Sequence, residues 1–190
     1  MGRMLNALVL VLALLCVSAA WARTDDAYLK HFIEVEAMSG VNARLLWAMA
    51  GAESSHNAQA MNNSHLARTK SYDIGLMQIN SSHLPTLKKF GITESDLRQP
   101  RTSIEVAAWL LRDLFRIHGQ TWEAVGAYNA ACVQLKGEAC RNARDTYIAK
   151  VMNHLRRAPD MNTELPSLDN TPPTAFDPPQ RPAITTLAFN

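Results

Sequence analysis

The chain has 190 residues, 47% of them hydrophobic, with 19 basic residues set against 17 acidic ones. Such a length suits one domain with an appendage. The near balance of charge, without clustered Lys and Arg, excludes a nucleic-acid footprint. At the start of the chain, Arg3 precedes the apolar run from Met4 to Val17, in which only Asn6 is polar. Ala20 and Ala22 follow at the spacing a signal peptidase accepts, which predicts a secretory signal peptide over residues 1–22, cut before Arg23. The apolar run falls short of the roughly 20 residues that span a bilayer, so no stable membrane anchor is expected after cleavage. Cys16 follows Leu15 rather than the small residue of a lipoprotein site. The expected location is the periplasm.

Cleavage takes 22 residues from the 190 and removes only one charge, Arg3, leaving 18 basic and 17 acidic residues. It also leaves Cys132 and Cys140 as the remaining cysteines. An oxidising compartment favours their pairing, and a disulfide closing that short loop is expected. Metal binding is the alternative, but no adjacent Cys or His completes a tetrahedral set.

Helical spacing then runs from Arg23 to Arg157. In Asp25–Ser39, Tyr28, Phe32 and Ile33, with Val35 or Met38, fall near one face, and Gly40 fits the residue just past a helix end. Asn42 can cap a second helix that carries Leu45, Leu46 and Met49. Leu76–Ile79 is the one short strand the pattern allows. After Pro100, Thr102 and Glu105 match a capping box, and Ile104, Ala108, Leu111 and Phe115 form an apolar stripe that Gly119 closes. Thr121 can cap a helix through Ala131, and Asn142–Arg157 reads as another. From Ala158 to Asn190 the composition changes: seven of the nine prolines lie there, with no glycine. That segment is expected to be a disordered proline-rich tail. The fold class is therefore mainly α, with at most a very short β element. No internal repeat is found.

Three segments place polar residues where the pattern makes them expensive. Glu53, in Ala50-Gly51-Ala52-Glu53-Ser54, lies where an apolar helix gives way to a polar loop. A carboxylate projecting from such an end into a half-apolar cleft is poorly solvated, and its pKa is expected to rise until it can hold and donate a proton. Taken alone, a lone Glu reads better as a solvated surface charge. The second segment, Ser71 to Asn80, offers the amides of Gln78 and Asn80 to sugar hydroxyls and acetamido groups, with Gly75 permitting a close backbone approach. The third, Ala127-Tyr128-Asn129-Ala130, surrounds Tyr128 and Asn129 with small residues. Tyr128 suits either a hydrogen bond to a carboxylate or a stack on a pyranose ring.

Glu-Ser, Gly-Leu-Met-Gln and Ala-Tyr-Asn, in that order over Asp25 to Arg157, resemble the soluble lytic transglycosylase domain of the goose-lysozyme-like superfamily. Among its members the chain is most similar to small, single-domain ones that accompany type III secretion, type IV secretion or pilus systems. The resemblance implies a lysozyme-like helical fold and a groove for peptidoglycan, with assembly proteins of such a system as further partners and no cofactor. It implies Glu53 as the catalytic residue, supported by Ser54, with Gln78, Asn80, Tyr128 and Asn129 around the substrate. The implied reaction cleaves between N-acetylmuramic acid and N-acetylglucosamine without water, leaving a 1,6-anhydro sugar. Asp73 is the candidate second carboxylate. It either positions a water, as in a goose-type lysozyme, or orders the Tyr72–Gly75 turn, and the turn role is the expected one.

Overall fold

The computed structural model of the protein describes residues 28–132, 135–162 and 168. The expected signal peptide and most of the expected tail lie outside these residues. Helix α1 covers residues 28–39, and α2 is Ala43–Ser54. Three two-residue strands follow, β1 (Met61–Asn62), β2 (Asp73–Ile74) and β3 (Ile79–Asn80), with the short helix α3 (Leu66–Thr69) between the first two. The chain then forms α4 (Leu84–Leu87), α5 (Pro100–His118), α6 (Trp122–Asn129) and α7 (Gly137–Leu155). The described part is mainly helical, with one small antiparallel sheet in the order β1-β2-β3.

Helix α2 is the axis of the domain. Ala43, Leu45, Leu46, Trp47, Ala48, Met49, Ala50 and Gly51 are all buried. A helix that is apolar all round can be stable only when neighbours enclose it. Its start is fixed by Asn42, whose side chain accepts from Leu45 N at 3.1 Å, as its sequence position suggests. Glu36 of α1 adds a second anchor by accepting from Ala43 N at 3.2 Å. Helix α7 lies along α2, and it approaches closely because Gly51 has no side chain. A Cβ there would meet His154 Nδ1 at 2.4 Å. Gly126 of α6 leaves room in the same way for Arg144 of α7. Arg144 is buried, donates from Nε to the Ala130 carbonyl oxygen at 3.0 Å, and pairs with Glu123. These bonds tie both ends of α6 to α7.

Several sequence expectations change. Phe32 and Val35 of α1 are buried, but Ile33 and Met38 are exposed, since the true stripe follows residues 28, 32 and 35. Gly40 does close α1, with φ +72. Helix α5 begins at Pro100, and no side chain caps it. Proline already suits the first helical position, so Thr102 and Glu105 lie inside the helix, where Glu105 pairs with Arg101 at 2.9 Å. Thr121 caps α6 through Ala124 N at 3.3 Å, but the helix stops at Asn129. Helix α7 starts at Gly137, five residues before the expected position. The folded unit runs past Arg157, because Met161 is buried in the core and Leu168 packs against it. The expected strand Leu76–Ile79 is instead a turn, Gly75–Gln78, feeding β3.

Candidate active site

That turn is where the site is assembled. Ser54 Oγ, one residue beyond Glu53, donates to the Leu76 carbonyl oxygen at 2.7 Å. Met77 N donates to Ser103 Oγ of α5 at 3.1 Å, and the Tyr128 hydroxyl of α6 donates to the Met77 carbonyl oxygen at 3.0 Å. Gln78 has a positive φ of 48° and donates its amide to the carbonyl oxygens of Gly75 at 2.8 Å and Ala60 at 3.3 Å. Three helices thus grip one four-residue turn.

These bonds place the candidate residues differently from their sequence reading. Ser54 has its hydroxyl committed to backbone, which makes it a brace between α2 and the turn. Tyr128 serves the Met77 carbonyl rather than a carboxylate. The amide hydrogens of Gln78 are taken up inside the turn. Asn80 donates to Asp73 Oδ1 at 2.7 Å and accepts from Ser82 N at 3.0 Å. Asn129 is exposed at the last residue of α6. Cys132 and Cys140 form a disulfide, with Cα atoms 5.6 Å apart, linking the end of α6 to the first turn of α7.

Glu53 sits in the last turn of α2, half-buried as a residue. Burial of its carboxyl raises its pKa from 4.5 to about 7, opposed by the Tyr147 hydroxyl, raised further by the charge of Asp73 and lowered by Lys150. Desolvation dominates, as expected for a carboxyl walled by apolar helices. Tyr147 is buried on α7, and its hydroxyl closes no ordinary hydrogen bond among the described residues. It is the phenol facing the carboxyl. Burial also raises the pKa of Tyr128 well above the usual value, helped by the charges of Glu53 and Asp73. Two carboxylates and two phenols therefore share one electrostatic neighbourhood.

Among the described residues, the Asp73 carboxylate meets side chains rather than the backbone of its turn. It accepts from Asn62 Nδ2 at 3.2 Å as well as from Asn80, and His65 Nε2 lies 3.6 Å away. Asn62 and His65 are thus neighbours of Asp73, and Tyr147 and Lys150 of Glu53, that the sequence did not bring to the candidate site. Nothing in the sequence distinguishes Tyr147 from a core aromatic on a helix, or the others from solvated loop or surface polar residues.

The raised pKa has a consequence for stability. Between about pH 4.5 and 7 the folded protein holds the Glu53 proton and the unfolded chain does not, so stability falls as pH rises through that window. A shift of this size is worth about 3 kcal/mol when fully expressed, and about 2 kcal/mol for a half-buried residue. Glu53→Gln is therefore expected to unfold at higher denaturant concentration than the native protein at pH 8. The difference should vanish near pH 4. Equal differences at both values would contradict the burial argument.

The fold and the site define a lysozyme-like helical domain that presents one protonatable carboxyl beside a small sheet. Comparison with known proteins gives this class its family. Residues 30–150 match the transglycosylase SLT domain, and the chain belongs to that family. It is 38% identical over 157 residues to the invasion protein IagB of Salmonella typhi, covering 82% of this chain and 89% of that protein. It is also 38% identical over 109 residues to the protein IpgF of Shigella flexneri, covering 56% and 70% respectively. A peptidoglycan-binding-like protein of Escherichia coli is 36% identical over 104 residues, covering 52% of this chain and 62% of the relative.

Proposed function

We propose that the protein is an exported lytic transglycosylase of the periplasm that cleaves the MurNAc–GlcNAc bond of peptidoglycan and leaves 1,6-anhydro-MurNAc ends. The observation that carries this reading is Glu53, a carboxyl held near neutral pKa by burial. Protonated, Glu53 gives its proton to the leaving glycosidic oxygen. The positive sugar that results is stabilised by the nearby Asp73 carboxylate. Ionised Glu53, with Tyr147 able to donate to it, then takes the proton from the sugar's own 6-hydroxyl as that oxygen attacks. An attacking group on the same sugar has an effective concentration of about 10⁵ M or more, so water need not compete. Ser54, Gln78 and Tyr128 serve this chemistry indirectly by holding the turn, while Asn129, exposed at the end of α6, is the amide proposed to meet the substrate.

A goose-type lysozyme would hydrolyse the same bond, with a carboxylate steering water. Asp73 has both oxygens occupied by Asn62 and Asn80, which favours a fixed charge over a base. Mass spectrometry of muropeptides released from purified peptidoglycan separates the two. The native protein is expected to release ends lighter by one water than reducing ends. Asp73→Asn is expected to release the same anhydro ends roughly 10²-fold more slowly, the scale of losing one fixed electrostatic contact to the transition state. Reducing ends from the native protein would favour the lysozyme. No released product would favour a non-catalytic peptidoglycan-binding assembly factor.

The names of its relatives, an invasion protein among them, support a role in opening the wall for a secretion or pilus apparatus. The proline-rich segment after residue 168 is a tether candidate for such a partner. A pull-down of assembly proteins that survives deletion of residues 171–190 would remove that part of the reading.

A further inference from the structure

Helix α7 meets α2 along one stripe. Tyr147 and Val151 are buried there, and the His154 ring covers Gly51 of α2. Positions three and four apart share one side of a helix. Lys150 lies three residues after Tyr147 and four before His154, so it belongs to that side, yet it is exposed. It therefore stands at the edge of the α2–α7 contact. Burial governs the Glu53 carboxyl, but two charges also act on it, a negative one from Asp73 and a positive one from Lys150.

That cation has no partner of opposite charge. Lys30 pairs with Glu34, Arg101 with Glu105 and Arg116 with Asp113, each three or four residues away on its own helix. The corresponding neighbours of Lys150 are Thr146, Tyr147, Asn153 and His154, none of them a carboxylate. Among the described residues Lys150 closes no ion pair. A glycan laid along the site brings negative charge of its own. The muramyl sugar carries a lactyl side chain whose acid is extended by a short peptide, and that peptide bears free carboxylates. Asp73 on the sheet side repels such a group, and the α7 edge attracts it.

We infer that Lys150 is a specificity-determining residue that binds a carboxylate borne on the lactyl side chain of the muramyl sugar, and so favours charged peptidoglycan over an uncharged glycan. The inference rests on the proposed reading of the site as a peptidoglycan groove and deepens it. A compact ammonium on a flexible stem takes a carboxylate from several directions. That suits a peptide side chain, which is itself flexible.

Co-sedimentation with purified peptidoglycan tests this, in a Glu53→Gln background so that no cleavage intervenes. Lys150→Met is expected to weaken binding about threefold to fivefold, the upper range for a solvent-exposed ion pair. Lys150→Glu replaces attraction by repulsion and should weaken it about tenfold. Lys150→Arg keeps the charge and should bind like the parent. The losses should shrink at high salt. On peptidoglycan whose carboxyl groups have been converted to amides, all of these proteins should bind alike. Material stripped of its peptides by an amidase exposes the lactyl carboxylate instead. A Lys150→Met loss confined to intact material assigns the peptide's carboxylate, and a loss on stripped material assigns the lactyl one.

Equal binding of the parent and Lys150→Met to both materials would overturn the inference. A loss of the same size on the amidated material would overturn it too, because the contact would then be independent of charge on the glycan. Cleavage is scored separately, from muropeptides released by the native protein. A protein that releases none but binds in this charge-dependent way loses the transglycosylase reading and keeps the inference. One that cleaves without it loses the inference alone, and one that neither binds nor cleaves loses both.

Discussion

Glu53→Gln is expected to slow peptidoglycan cleavage by about 10²–10⁴-fold at its optimum pH, the range for loss of a positioned acid–base group. Gln keeps the size and most of the polarity of Glu but has no proton to give and cannot receive one. Both halves of the reaction use that proton, so the change acts on kcat rather than on substrate affinity. An unfolding artefact predicts the reverse stability trend. Gln removes a buried ionisable group and should strengthen the fold at neutral and higher pH. A variant that is more stable and nearly inactive would therefore locate the loss in chemistry. Release of muropeptides is the direct assay, and a loss smaller than about tenfold would contradict the assignment.

The second large effect is expected at Gly75. Its φ is +74°, a left-handed conformation that side-chain-bearing residues rarely adopt, and a Cβ there would lie 2.1 Å from the Leu97 carbonyl oxygen. The obstacle is backbone and cannot rotate away. Backbone strain of about 1–3 kcal/mol and an overpacking term of similar size together make about 4 kcal/mol for Gly75→Ala. That is a large part of the 5–15 kcal/mol typical of a domain. Urea denaturation measures it. The damage should also reach the site, because Leu76, Met77 and Gln78 are the next residues and carry the bonds to Ser54, Ser103 and Tyr128. Loss of stability without loss of activity, assayed where the variant is folded, would mean that the turn supports the fold alone.

What could be read from sequence was local. Asn42 and Thr121 announce helix starts because a cap needs only its own next three residues. Gly40 and Gly119 mark helix ends for a similar reason. Pro100 overrode the capping-box pattern two residues later, since the two signals compete and proline at the first position already sets the backbone. Leu76–Ile79 suggested a strand because apolar and polar residues alternate there, and Leu76 and Met77 are indeed fully buried. A turn gripped by three helices also buries its apolar side chains, and no pattern within ten residues distinguishes the two.

The site divides in the same way. Glu53, Gln78 and the Tyr128–Asn129 pair stood out through short motifs. Tyr147 and Lys150 reach Glu53 only because α7 lies along α2, which depends on Gly51 and on the His154 ring covering it. Asn62 and His65 come to Asp73 through pairing of two-residue strands, too short to leave a period in the sequence. The hydroxyls of Ser54 and Tyr128 donate to the turn at Leu76 and Met77, partners that tertiary contacts set and no local pattern shows. Residue type marked the candidates, and packing set which groups each of them meets.

The most direct measurement is the titration of the Glu53 carboxyl carbon by nuclear magnetic resonance, assigned by comparison with Glu53→Gln. A midpoint near 7 is expected, with protonated Glu53 still well populated at pH 6. A midpoint near the ordinary 4.5 would contradict it, because a carboxyl already ionised at neutral pH has no proton to offer the leaving oxygen.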